Sequence, residues 1–366
     1  MKCIKNFVSI VFITILLFFV FDFVLSHLGL GPTDRKNQHP TFVTKGVAHP
    51  VYHHDLRPNV DMMTVWGPMT YKLCTNEFGF KISCDNKKES RKNFDIAFIG
   101  DSFTESVGTT YEDSFVGMYA RKNPDIAVAN LGVSSYSPRI YWKKIEFLLN
   151  NGFTFKHLVV LPDISDIRDE ALYLDAEEQS GSAASTENRA NTEPTAVKNR
   201  FHAILMKYFK YTWYINCQLY EYFDDEAEEK LLKRVVESPI SIWTLDTDSP
   251  HYGKTGVLGG IRKNLEYMRK LKQLLDEHGI KMTIVVYPWP AQVFFEDRSH
   301  PGVQIWNDFC IKENCYNFID ANQFFFDEIQ RSSKVEVIKK YYIRGDSHFN
   351  EAGNKAMFEI INAHVK

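Results

Sequence analysis

Phe94-Asp95-Ile96-Ala97-Phe98-Ile99-Gly100-Asp101-Ser102-Phe103-Thr104-Glu105-Ser106 is the stretch on which the reading of this chain turns. Its first half is a short apolar run, which predicts a buried strand over Phe94–Ile99. A glycine, a carboxylate and a hydroxyl follow at once. In an open α/β sheet, residues just past a strand's carboxyl end face the crevice where ligands bind. Gly100 permits a tight turn, and a helix opening beside Ser102 would aim its amide groups at developing negative charge. The same residues also suit a plain helix N-cap, where Asp and Ser are favoured without any chemistry. Taken alone, the segment leaves both readings open.

Working outward, the strand signal recurs. Ile126–Ala129, His157–Leu161, Met282–Tyr287 and the shorter Phe318–Asp320 read as further strands. Between them lie helical patterns. Pro138 opens one over Pro138–Asn150, with Tyr141, Ile145, Leu148 and Leu149 on one face. Leu258, Ile261, Leu265, Met268, Leu271 and Leu275 follow the period of an amphipathic helix that Gly279 ends. Asn350–Val365 reads as a closing helix. Strands alternating with helices predict an α/β three-layer sandwich around a mostly parallel sheet of about five strands. Residues 28–90 show little periodicity and read as a stalk or N-terminal lobe, with 91–366 as the main domain. Glu177–Pro194, rich in Ser, Ala, Glu, Asn and Thr, has almost nothing to bury and reads as a disordered or surface insertion near 176–195. The aromatic stretch Tyr208–Tyr222 reads as an insertion helix over the site or as core. The acidic run Asp224–Glu229 reads as a solvated helix face.

A second polar turn precedes the closing helix: Gly345-Asp346-Ser347-His348-Phe349-Asn350. A hydroxyl nucleophile needs a base within hydrogen-bond reach, and the base needs an orienting carboxylate. His348 and Asp346 supply that pair; a capped helix start with an incidental histidine is the alternative.

Gly100-Asp101-Ser102-Phe103 after the first strand, Asn130-Leu131-Gly132 after the second and Asp346-Ser347-His348 near the end resemble the SGNH/GDSL hydrolase superfamily, in that order and over roughly residues 94–366. The resemblance implies a flavodoxin-like fold, Ser102 as nucleophile, His348 as base and Asp346 as its orienting partner. It also implies an oxyanion hole built from the amides of Ser102 and Gly132. Such donors contribute on the order of 3–4 kcal/mol when aimed at the oxyanion. Two departures stand out. Asp163-Ile164-Ser165-Asp166 occupies the block where the family has Gly-x-Asn-Asp, so Ser165 falls where an asparagine donates to the oxyanion. Asp163 and Asp166 there would repel an oxyanion unless they face away or bind a cation. The base block is Asp-x-His, one residue shorter than the common form. That spacing is similar to the branch that O-acetylates extracytoplasmic polysaccharides.

At the other end, Phe7–Leu25 is apolar apart from Ser9, Thr14 and Asp22. A spanning helix needs roughly 17–25 such residues. Lys2 and Lys5 precede the run, and cationic flanks tend to stay cytoplasmic. No small-residue cleavage pattern follows, so residues 1–27 read as a single-pass anchor rather than a cleaved signal, with the rest extracytoplasmic. Of six cysteines, Cys74 with Cys84 and Cys310 with Cys315 are close enough in sequence to close short disulfide loops in an oxidising compartment; buried thiols are the alternative. Cys217 reads as core. The pair His53-His54 suggests a metal only weakly, and no Cys or His set completes a zinc site. With 44% hydrophobic residues the chain can bury a large core, and a net charge of -3 gives no basic footprint for nucleic acid.

The expected function is therefore a membrane-anchored serine esterase or O-acyltransferase, without cofactor or metal, acting on an acylated small molecule or polysaccharide. A lipid esterase and a non-catalytic binding protein of the same fold are the alternatives. Tyr136, Trp142 and Trp289 are candidate sugar-stacking aromatics, with core packing as their other reading.

Overall fold

The computed structural model describes residues 2–28, 45–85, 91–180, 208–209, 211–212, 215 and 225–365. The chain divides into two units. The first comprises residues 1–39 and 185–230; the second comprises 40–184 and 231–366.

In the first unit, helix α1 spans Lys2–His27. Asp22 on it is 1% exposed and accepts from the amides of Tyr211 and Thr212 at 2.9 and 2.7 Å, and from the Thr212 hydroxyl. Phe19 and Phe23 meet Tyr208 and Phe209. Tyr208, Phe209, Tyr211 and Thr212 of the aromatic stretch thus pack on α1, Ile215 is exposed, and the rest of the stretch, Cys217 included, lies outside the described residues. Among the described residues, no helix is long and apolar enough to cross a membrane. The side chains of the first eleven residues fall outside that set.

The second unit opens with two antiparallel hairpins, β1 (Gly46–His49) with β2 (His53–Leu56) and β3 (Asp61–Trp66) with β4 (Met69–Cys74). Residues 45–85 are therefore a folded lobe, and Tyr52, Leu56 and Phe80 belong to a main core. The Cys74–Cys84 and Cys310–Cys315 pairs are both bonded as disulfides.

Then come β5 (Asn93–Gly100), α2 (Ser102–Glu105), α3 (Phe115–Lys122), β6 (Val128–Asn130), α4 (Pro138–Asn150), β7 (Thr154–Leu161), α5 (Asp166–Ser180), α6 (Asp225–Val236), α7 (Gly256–Glu277), β8 (Lys281–Val286), α8 (Pro290–Phe295), α9 (Pro301–Glu313), β9 (Asn317–Asp320), α10 (Asn322–Arg331), α11 (Lys334–Tyr341) and α12 (Glu351–His364). Helix α5 continues to Ser180, so the first residues of the expected insertion are helical; 181–195 lie outside the described residues.

The five main strands pair in parallel in the order β6-β5-β7-β8-β9. That is the doubly wound order with a switch point between β5 and β7. Alternation along the strands divides their side chains between two cores. Ile96, Phe98, Val159 and Val285 face α3, α11 and α12. Ala97, Ile99, Leu158 and Ile284 face α4, α7 and α9. Both faces are covered, which is why these strands read as continuous apolar runs.

Candidate active site

The carboxyl ends of β5, β6 and β7 converge at the switch point. At Gly100 an added Cβ would collide with the Thr104 side chain and the Leu161 carbonyl, so glycine lets β5 turn directly into α2. Asp101 caps α2, accepting from the Phe103 amide at 3.0 Å. Ser102 is the first helical residue, and no earlier turn can satisfy its amide.

The structure brings Ser102, His348 and Asp346 together. The Ser102 Oγ and His348 Nε2 atoms lie 2.7 Å apart, and His348 Nδ1 is 2.5 Å from Asp346 Oδ1. The turn that presents them is closed by the Asp346 amide donating to the Ile343 carbonyl and the Ile343 amide donating to the His348 carbonyl. Gly345 adopts φ +69°, which permits the reversal. Burial opposes ionisation of Asp346, but the facing His348, its amide and the Trp66 side chain outweigh it and push the carboxyl down to about 2. Ser102 and His348 are 7% and 8% exposed, so the hydroxyl–imidazole contact is partly shielded yet reachable.

Two of the expected oxyanion donors, Gly132 and Ser165, already donate within the protein. Gly132 packs so closely on α2 that a Cβ would come within 2.6 Å of the Glu105 amide nitrogen. Its own N–H donates to Asn130 Oδ1 at 3.0 Å. Ser165 Oγ donates to Asp163 Oδ1 at 2.6 Å, with Asp101 Oδ2 3.3 Å away. The single proton of that hydroxyl is thus committed to a carboxylate. A serine has no second donor with which to replace the asparagine amide.

Behind Ser102 lies a buried acidic cluster. One oxygen each from Asp101, Asp163 and Asp166 falls within 4.8 Å of the others, and these three residues are the ones near the site that could hold a cation. Asp163 accepts from Ser165 N and Oγ, Tyr287 OH and Trp289 Nε1. Burial first, and then the neighbouring Asp163, raise Asp101 and Asp166 well above the usual carboxylate range.

Three buried lysines, invisible as site residues in sequence, brace these loops. Lys45 pairs with Glu105 at 2.5 Å, and Glu105 accepts from the Ser134 amide and hydroxyl. Lys81 donates to the carbonyls of Glu105, Ser106 and Thr109; burial pulls its ammonium down to about 7. Lys144 bonds Asp55 and the Leu131 carbonyl. In the sequence only Lys81, between Phe80 and Ile82, stands beside apolar residues; Lys45 lies between Thr44 and Gly46.

The other candidates are structural. His54 donates to or accepts from His53 at 2.6 Å and meets the Ser134 carbonyl at 2.9 Å; burial drives its pKa to about 3. Tyr136 is fully buried, its hydroxyl donating to the His54 carbonyl. Trp289 is spent on Asp163. Trp142 is half-buried and stacks on Tyr267 at 6.0 Å.

No family model matches the chain, and no curated protein matches it. Solved structures do. One similar structure is a member of the lipolytic protein G-D-S-L family from Veillonella parvula DSM 2008, 12% identical with a TM-score of 0.40, covering 74% of this chain and 97% of that one. Another is an acetylxylan esterase from Geobacillus stearothermophilus, 10% identical with a TM-score of 0.40, covering 75% of this chain and 95% of that one.

Proposed function

We propose that this chain is an SGNH/GDSL-type serine esterase or O-acyltransferase that works through an acyl-enzyme on Ser102. The observation that carries the reading is the Ser102–His348–Asp346 alignment, with 2.7 Å between hydroxyl and imidazole. His348 takes the Ser102 proton as Oγ attacks an ester carbonyl, and the imidazolium faces an ionised Asp346. Collapse of the tetrahedral species breaks the ester bond, and His348 returns the proton to the departing alkoxide. Water or a sugar hydroxyl then attacks the acyl-enzyme, giving up its proton to His348 and regenerating Ser102. The Asp-x-His spacing favours an acetylated extracytoplasmic carbohydrate as donor or acceptor.

The Ser102 amide is the first oxyanion donor in this scheme. Gly132 joins it by sharing its N–H between Asn130 and the oxyanion, as three-centre bonds allow. The same reading makes α1 a membrane anchor that holds the second unit outside the cytoplasm. Phe12, Leu17 and Phe21 on α1 are 67%, 62% and 63% exposed and point to different sides of the helix, apolar surface that an apolar medium would cover.

The test is labelling of the full-length protein with a serine-directed fluorophosphonate. The wild type is expected to label and Ser102→Ala to stay blank. A wild type that never labels would point instead to a binding protein, a reading that the committed Ser165 proton favours. Acetylated xylan and chromogenic acetyl donors, with and without sugar acceptors, then separate hydrolysis from transfer.

A further inference from the structure

His348 is the moving part of the proposed triad, and its ring must meet Asp346 on one side and Ser102 on the other. The terminal torsion of histidine is broad, so the hydrogen bonds alone hold the ring plane weakly. Two aromatic walls confine it. Phe103, next to the nucleophile, lies 4.7 Å away at 34°. Trp66, at the tip of the β3–β4 hairpin, meets it edge-on at 5.0 Å and 84°. The hairpin turn also covers the carboxylate: the Cβ direction of Gly67 ends 3.8 Å from Asp346 Oδ2.

Trp66 is itself tied to the nucleophile's helix. The Lys45 ammonium sits 5.3 Å from the Trp66 ring centroid and pairs with Glu105, the last residue of α2. A closed path of contacts therefore runs from Ser102 along α2 to Glu105, across Lys45 to Trp66, and over to His348. We infer that Trp66 is a positioning residue, through which the N-terminal lobe holds His348 in the plane that joins Asp346 to Ser102. This inference rests on the triad reading above. It gives the lobe a part in the chemistry through its contacts with His348 and Asp346. A displacement of about 1 Å at a reacting group costs on the order of 100-fold in rate. Loss of the indole also removes one of the groups that keep Asp346 ionised.

The experiment compares full-length wild type, Trp66→Ala, Trp66→Phe and the control Met63→Ala, which lies on the same strand and is 61% exposed. kcat and KM for p-nitrophenyl acetate are measured across pH, beside fluorophosphonate labelling rates and thermal melts. Trp66→Ala is expected to lose on the order of 100-fold in kcat with KM near wild type, and to move the acid limb of its pH profile upward. Trp66→Phe, which keeps an aromatic wall, should recover most of kcat, and Met63→Ala should match wild type. If Trp66→Ala does not fold, Trp66→Leu takes its place with the same expectation. A folded variant with wild-type kcat, or with a change confined to KM, overturns the inference while the triad stands. A wild type inert to both ester and fluorophosphonate overturns the triad reading, and this inference with it.

Discussion

Asp101, Asp163 and Asp166 sit too close for three charges. In a buried site, like charges a few ångströms apart force at least one carboxyl to keep its proton. Asp163 accepts from the Tyr287 hydroxyl and the Trp289 indole N–H, and Asp101 and Asp166 are the two whose pKa burial and Asp163 raise. A group whose folded pKa lies above its unfolded one stabilises the fold fully at acid pH and loses that contribution as pH rises. The loss begins near the ordinary carboxylate value of 3.8 and continues to the raised value. Asp166→Asn removes this titration while keeping an oxygen for Tyr141. Its thermal stability relative to wild type is therefore expected to be better at pH 8 than at pH 5, the gain reaching at most about 1.4 kcal/mol per pH unit. Melts at the two pH values decide it, and a difference that shrinks with pH would mean that the cluster is held ionised. Asp346 behaves oppositely, being held ionised by His348. Asp346→Asn leaves the shape but removes the charge that faces the imidazolium. Its kcat for p-nitrophenyl acetate is expected to fall on the order of 10³–10⁴-fold.

Elements with a long, one-sided apolar pattern were legible in the sequence, and elements held by distant polar contacts were not. Pro138–Asn150 has the boundaries its sequence predicts, because a proline opens it and a repeated apolar face fills it. The parallel strands were readable because burial on both faces makes them apolar throughout. The hairpins of residues 46–74 were not. Their strands carry His, Asp, Thr and Lys, and the buried Asp55 among them is satisfied by Lys144, a partner 89 residues away that is met only in space. The site divides the same way. Ser102, His348 and Asp346 sit in short motifs, while the donor state of Gly132 and Ser165 depends on Asn130 and Asp163 and appears only in three dimensions. Lys45 and Glu105, at 2% and 0% exposure, form the buried link between lobe and α2. Removing one partner strands a buried charge, at a cost of about 3–5 kcal/mol. Lys45→Met should therefore lower the urea midpoint sharply, and Lys45→Met with Glu105→Gln should restore part of it. Equal loss in the single and double variants would show that the pair contributes no more than its packing.

At the scale of the whole chain, every residue of the proposed chemistry belongs to the second unit, and the exposed apolar residues of α1 belong to the first. Chemistry and localisation should accordingly separate. Each CH₂ that a run such as Phe7–Leu25 moves from water into lipid gains about 0.8 kcal/mol, the basis on which the proposed anchor would hold the chain to a bilayer. Asp22 does not forbid this, because the amides of Tyr211 and Thr212 and the Thr212 and Ser26 hydroxyls satisfy its carboxylate. The full chain is expected in the membrane pellet, resisting carbonate at high pH and released by detergent. A variant lacking residues 1–39 is expected in the supernatant, still labelled at Ser102 by fluorophosphonate at a rate within a few-fold of the full chain. Full-length protein in the carbonate supernatant would overturn the anchor and leave the exposed phenylalanines and leucines of α1 to be covered by protein. A truncated variant that is soluble and folded but unlabelled would instead show that the first unit takes part in the site, and that the catalytic assembly extends beyond the sheet that carries Ser102.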